Sequence, residues 1–313
     1  MTTAQRRNHR TERTAAYQEL LRYLRELPIS PERSIEEART AYETLCAHFA
    51  DPPEATLVPV DANGVRAEWT TPPGGASVKA AILLLHGGGF TVGSAAGYRD
   101  LAARLMAATG AGVLTIDYRL APEHRFPAAL DDATTALRWL HSEAPGRPVA
   151  VVGDSAGGGL AISLAVAVRD AGLTAPVALS VFSPRTDLVQ TGASVDTQAD
   201  LDPLVTPASS YENGLRYVGS EAGLRNPSAS PLLADLTGLP PVYLYVGTSE
   251  ILLDDGLRLA RALRRAGVAV DLDVWPEGIH ILPFFASRVP EAAEALSTAT
   301  AFLTAQLAVA TAQ

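Results

Sequence analysis

Residues Pro148–Asp170 read PVAVVGDSAGGGLAISLAVAVRD. The run Val149–Val152 is continuously apolar, as a strand buried on both faces must be. Leu160–Val168 is rich in Ala and Leu and reads as a helix. Between them Gly153-Asp154-Ser155-Ala156-Gly157 makes a G-x-S-x-G pattern. Strand, tight glycine turn and helix in that order are the context of a nucleophile elbow, in which a serine is held in strained backbone with its hydroxyl clear of the sheet. The flanking positions need glycine because a Cβ there meets the adjacent strand or helix. A helix that starts beside the serine also points its positive end at any negative charge forming there.

Outward from this stretch the chain alternates. Apolar strands are expected at 80–85, 112–117, 177–182, 241–247 and 268–275, with helices at 101–108, 128–142, 253–265 and 290–307. This predicts an α/β fold of the α/β-hydrolase type: a mostly parallel sheet with helices on both faces. Upstream, 56–60 and 65–70 flank Asn63-Gly64, a two-residue hairpin signal that adds antiparallel strands at one edge. Before them lie two amphipathic helices. The first runs from Thr14 to Leu27 and is ended by Pro28. The second begins after Ser30-Pro31, with Ser34 and Glu37 as a capping box, and runs to about Ala50. Residues 1–13 read as a solvated polar start. Residues 184–223 are an insertion rich in Asp, Ser, Pro and Gly with one helical piece near 208–217. The reading is one domain of 1–313, with a helical cap built from about 1–50 and about 184–223.

Composition narrows the partners. The 313 residues are 47% hydrophobic with a net charge of −9, which argues against nucleic acid and against an anionic membrane surface. No apolar run near the middle is long enough to span a bilayer, so no stable membrane insertion is expected. Cys46 is the only cysteine and the N-terminal stretch lacks an apolar signal region, from which a cytoplasmic location is expected.

A serine hydroxyl needs a base, and the base needs a group that fixes its tautomer. In this fold the chain order is Ser, acid, His. His280, just past the last predicted strand, is the one histidine that follows Ser155; the other five precede it. Glu250 lies in the loop after 241–247, where site residues of an open α/β sheet gather, and is the expected acid, with Asp187 as fallback. Asp254 and Asp255 read as first-turn carboxylates of the next helix. Gly87-Gly88-Gly89 follows a buried strand, so its backbone N–H groups can approach an oxyanion together with the N–H of Ala156. The loop has neither a GK[ST] ending nor a G-x-G-x-x-G frame, which argues against a nucleotide.

The chain resembles the hormone-sensitive-lipase-like family of α/β-hydrolases, which includes the bacterial family IV esterases. The resemblance rests on HGGGF at His86–Phe90, DYRLAPEH at Asp117–His124 followed by FPAA, GDSAGG at Gly153–Gly158 and the block Gly247–Asp255. NPSASPLL at 226–233 and Leu239-Pro240-Pro241 also match, and the likeness runs from about Val58 onward. It implies Ser155, Glu250 and His280 as a triad and Gly88, Gly89 and Ala156 as oxyanion donors. It further implies that Tyr118 and Glu123 brace the site loops, that His86 is structural, and that Asp154 is a supporting residue. Three departures stand out: Glu250 where Asp is usual, Gly159 where Asn is usual, and Ile281-Leu282 after the histidine in place of a small residue and an aromatic. The last two bear on the shape of the substrate pocket.

The resulting expectation is a serine carboxylesterase for small-molecule esters of short to medium acyl chains, with no cofactor and no metal. An amide or lactone hydrolase, such as an N-acetyl hydrolase, would use the same groups. A non-catalytic small-molecule receptor, as plant gibberellin receptors are on this fold, lacks the histidine that His280 supplies here. The resemblance also makes a homodimer, paired through an edge strand, an arrangement to expect, although no motif encodes it.

Overall fold

The computed structural model describes residues 13–26 and 34–311. The readings at Leu27, Pro28 and Ser30-Pro31 and nearly all of the polar start lie outside them. Among the described residues α1 spans Ala15–Glu26 and α2 Ile35–Phe49. The Ser34 hydroxyl accepts the Glu37 N–H while the Glu37 carboxylate accepts the Ser34 N–H at 2.9 Å, so the capping box forms as read. The strands are β1 (Thr56–Asp61), β2 (Arg66–Thr71), β3 (Ala81–Leu85), β4 (Gly112–Ile116), β5 (Val149–Asp154), β6 (Ala178–Phe182), β7 (Val242–Gly247) and β8 (Val270–Trp275). The remaining helices are α3 (Arg99–Thr109), α4 (Ala128–Glu143), α5 (Ser155–Asp170), α6 (Ser194–Thr197), α7 (Pro207–Val218), α8 (Leu253–Arg265) and α9 (Pro290–Thr311).

The eight strands form one sheet in the order β1-β2-β4-β3-β5-β6-β7-β8. The β1–β2 hairpin is antiparallel, and β2 also runs antiparallel to β4; from β4 to β8 every pairing is parallel. Side chains alternate across each strand, so each inner strand feeds two cores. Leu83, Leu85, Val151 and Leu244 face α4, α5 and α8. Ile82, Leu84, Val152 and Tyr243 face α3 and α9, with α1 and α2 packed beyond. Both faces are covered, which is why these strands carry no polar alternation.

One boundary differs from the reading. Helix α5 begins at Ser155 itself, so β5 runs straight into it and all three glycines 157–159 are helical. Glycine has poor helix propensity, which hides this turn in sequence. Packing decides it. A Cβ on Gly157 would collide with the carbonyl oxygen of Leu85 at the end of β3, and one on Gly153 with the carbonyl of Gly157. The bare glycine backbone lets α5 start flush against β3.

A Gly157→Ala variant should lose at least about 1–3 kcal/mol of stability, because its methyl meets backbone that has no free direction to move. Thermal unfolding measures this. A variant melting with the wild type would contradict the close approach.

Candidate active site

The serine stands where β5 turns into α5, with φ +51°. For a residue with a Cβ this left-handed conformation is strained, and the surrounding sheet and helix hold it there. Its hydroxyl lies 3.0 Å from His280 Nε2. His280 is buried in the loop after β8, and its Nδ1 lies 2.7 Å from Glu250 Oε2. Glu250, from the loop after β7, is fully buried. Its second oxygen accepts the Gly247 N–H at 2.6 Å and the Ser183 hydroxyl at 2.9 Å. Two donors on one oxygen thus set the carboxylate's orientation toward the imidazole on the other.

A Cβ on Gly247 would collide with the Gly278 carbonyl, so the β7 and β8 ends approach backbone to backbone. Ser183, at the end of β6 with φ +46°, completes the arrangement: it donates to Glu250 and accepts the Ile281 N–H at 2.9 Å. It thus ties the loop carrying the histidine to the acid. Sequence reasoning missed Ser183, although its place at a parallel strand's carboxyl end was an available signal.

The fallback acid Asp187 is elsewhere engaged. It accepts the Thr191 N–H at 2.9 Å and pairs with Arg258 at 3.0 Å. Asp255 differs from its reading as a simple first-turn charge: it is buried, accepts the Thr186 and Asp187 N–H groups at 2.8 and 2.9 Å, and also pairs with Arg258. Asp254 accepts the Ser194 N–H at 2.9 Å. Both fasten the 186–194 segment to α8.

Gly88 and Gly89 adopt φ +110° and +62°, and the Gly88 carbonyl accepts the N–H groups of Thr91 and Val92. The loop is braced on all sides. Tyr118 donates to the His86 carbonyl at 2.7 Å and stacks on the His86 ring at 4.1 Å. Burial pushes the His86 pKa down to about 4, which keeps the ring neutral. Phe90 stacks on Tyr217 of α7 at 3.7 Å. Glu123 acts through Arg39 of α2: it pairs with the guanidinium at 2.7 Å, and the same guanidinium donates to the Thr91 carbonyl at 3.0 Å. Tyr98 accepts the Gly87 N–H and donates to Asp154 Oδ2, both at 2.8 Å, and meets the Tyr42 hydroxyl of α2 at 2.9 Å. Burial raises the Asp154 pKa to about 7.

Ser155, His280, Gly88 and Gly89 open onto a cavity of about 470 Å³. Its apolar walls include Ile35 and Leu45 of α2, Leu204 and Val205 of the 184–223 segment, and Ile281. Burial opposes charge on the His280 ring, but the hydrogen bond and charge of Glu250, with the charges of Asp202 and Asp154, outweigh it and raise the pKa above the ordinary 6.5. Asp202 is itself buried and accepts the Ile251 N–H at 3.0 Å. Among the described residues no cluster of three His, Cys, Asp or Glu could hold a metal ion, and no helix is long and apolar enough to cross a membrane.

A strained serine at a strand-to-helix turn, hydrogen-bonded to a histidine that is held by a buried carboxylate, defines a hydrolase of the α/β class. The family model described as alpha/beta hydrolase fold matches residues 82–284. The chain is 38% identical to an acetyl-hydrolase of Streptomyces hygroscopicus over 273 residues, 86% of this chain and 89% of that protein. It is 34% identical to a carboxylesterase of Mycobacterium tuberculosis, over 90% of this chain and 86% of that protein. It superposes on the crystal structure of an esterase from the bacterial hormone-sensitive lipase family with TM-score 0.89 and 37% identity, covering 95% of this chain and 99% of the other. The chain belongs to that family of α/β-hydrolases.

Removing the Ser183 hydroxyl leaves Glu250 with one fewer donor and frees the Ile281 N–H. Ser183→Ala should lower kcat on p-nitrophenyl acetate by roughly tenfold with KM little changed, as the loss of one hydrogen bond to a charged group entails. An unchanged kcat would show that the remaining two contacts suffice.

Proposed function

We propose that in this ester hydrolase Ser155 is the nucleophile, His280 the general base and acid, and Glu250 the group that orients the imidazole. The observation that carries this is the unbroken line from Glu250 Oε2 through both ring nitrogens of His280 to the Ser155 hydroxyl, ending at the cavity. His280 Nε2 takes the hydroxyl proton as Ser155 Oγ attacks the ester carbonyl. The N–H groups of Gly88, Gly89 and Ala156 stabilise the tetrahedral oxyanion at the start of α5. The imidazolium, steadied by Glu250, then gives its proton to the departing alcohol. Water, activated by the same nitrogen, hydrolyses the acyl-enzyme and frees the acid. These steps call on no cofactor.

The helices α1 and α2 and the segment 184–223 serve as the cap over this chemistry. The substrate is a small-molecule ester of short to medium acyl chain. A cavity of about 470 Å³ and the names of the relatives, an acetyl-hydrolase and a carboxylesterase, support that size class.

Hydrolysis of p-nitrophenyl esters from acetate to laurate tests the reading, with Ser155→Ala assayed in parallel. The wild type should favour the short esters and the variant should lose at least about 10³-fold in kcat. A variant retaining wild-type rates would remove Ser155 from the chemistry.

Protonated His280 cannot accept the serine proton, so kcat/KM should rise with pH. Because the ring's pKa is raised, the midpoint should lie above 6.5. Asp154→Asn removes one of the charges that raise this pKa, so the limb should remain with its midpoint moved down toward 6.5; a limb that disappears in this variant would assign the titration to Asp154.

A further inference from the structure

Arg185 follows β6 and lies beside the nucleophile: its backbone N–H donates to the Ser155 carbonyl at 2.9 Å. Its side chain is 3% exposed and forms part of the wall of the catalytic cavity. A guanidinium offers five N–H donors. Among the described residues this one reaches the Ser210 carbonyl through Nη2, while its Nε is buried without an acceptor. No described carboxylate forms an ion pair with it. Asp187 and Asp255 act on its charge from a distance, but both are bound to Arg258 at 3.0 and 2.9 Å. Ser210 is also a lining residue of the cavity, and its hydroxyl is likewise buried without a partner. The cavity's other charged pair, Glu212 with Arg216, is self-neutralising at 3.4 Å.

Two glycines make room for this residue, one beside its backbone and one beside its guanidinium. A Cβ on Gly159 would collide with the Arg185 carbonyl oxygen, so the departure at 159 lets the Pro184–Arg185 segment press against α5. A Cβ on Gly214, inside α7, would come within 2.8 Å of Arg185 Nη2. Glycine in a helix interior costs about 1 kcal/mol relative to alanine, a cost accepted here beside the guanidinium. A buried cation without a counter-ion is more expensive than an apolar side chain of similar volume. The charge at this position therefore lacks a partner that the chain does not provide.

We propose that Arg185 is a subsite for a carboxylate carried by the ester substrate. The substrate class is then an acidic ester: a half-ester of a dicarboxylic acid, or an acyl ester of a hydroxy acid. The carboxylate meets the guanidinium while the ester carbonyl sits at Ser155. The apolar walls enclose the linking methylenes. This rests on the serine hydrolase reading and narrows it.

The test compares kcat/KM by pH-stat for monomethyl glutarate against methyl hexanoate, and for 4-acetoxybutanoate against pentyl acetate. The wild type should prefer at least one acidic ester over its neutral counterpart by about tenfold or more, as a charge-assisted hydrogen bond entails. Arg185→Met should abolish or invert that preference, and Arg185→Lys should keep part of it. Each ratio is taken on one preparation, so a partly folded variant still reports selectivity. Equal or better use of both neutral esters by the wild type, or a ratio unchanged in Arg185→Met, overturns the proposal. Binding is read separately as the shift in Tm of the Ser155→Ala protein. Monomethyl glutarate should raise it and methyl hexanoate should not. That shift, in a chain whose wild type hydrolyses no ester, would leave the subsite standing and the hydrolase reading refuted.

Discussion

The site depends on one approach of backbone to backbone: the first turn of α5 lies directly against the end of β3, where Gly157 leaves no room for a Cβ beside the Leu85 carbonyl. Ser155 leaves one of these elements and the glycine loop 87–89 leaves the other. Their closeness therefore puts the serine hydroxyl and a set of backbone N–H groups in one small volume. Further contacts keep the volume in shape. The Gly88 carbonyl is tied back to Thr91 and Val92, and the loop is pinned from outside by Tyr98, Tyr118 and, through Arg39, by Glu123. Two of these ties run to α2, so a helix that lines the cavity also fixes the loop beside it.

Electrostatics complete what packing begins. The centre buries Glu250, His280, Asp154 and Asp202 close together, an arrangement that would be costly if each charge stood alone. Glu250 is satisfied by two donors besides the imidazole, and Asp202 accepts backbone N–H groups from Ile251, Leu204 and Val205. Asp154 instead takes the route of holding its proton more tightly, with Tyr98 as its hydroxyl partner. The imidazole thus lies in a field that favours its charged form.

Much of this was legible because it is local. The elbow and the glycine loop are written in short stretches whose chemistry constrains every position. The parallel strands announce themselves by continuous apolar runs. What escaped is non-local. The place of Ser183 at a strand end hints at the site but not at its partners, since Glu250 and Ile281 come from loops far along the chain. Arg39 is an unremarkable helical arginine until α2 is laid over Thr91 and Glu123. The start of α5 was misjudged because three glycines argue against a helix when the carbonyl they press on is out of view.

Serine and histidine leave different parts of the sheet. Ser155 follows β5 near its middle, whereas His280 follows β8 at its edge, with β6 and β7 between them. The 3.0 Å contact joining residues 125 apart in sequence is therefore the closing dimension of a frame four strands wide. A small splay or twist between any two of those strands, too slight to open the core, lengthens that gap directly. The Ser155–His280 contact therefore reports the relative positions of four strands, and it responds to their splay even while the core stays closed.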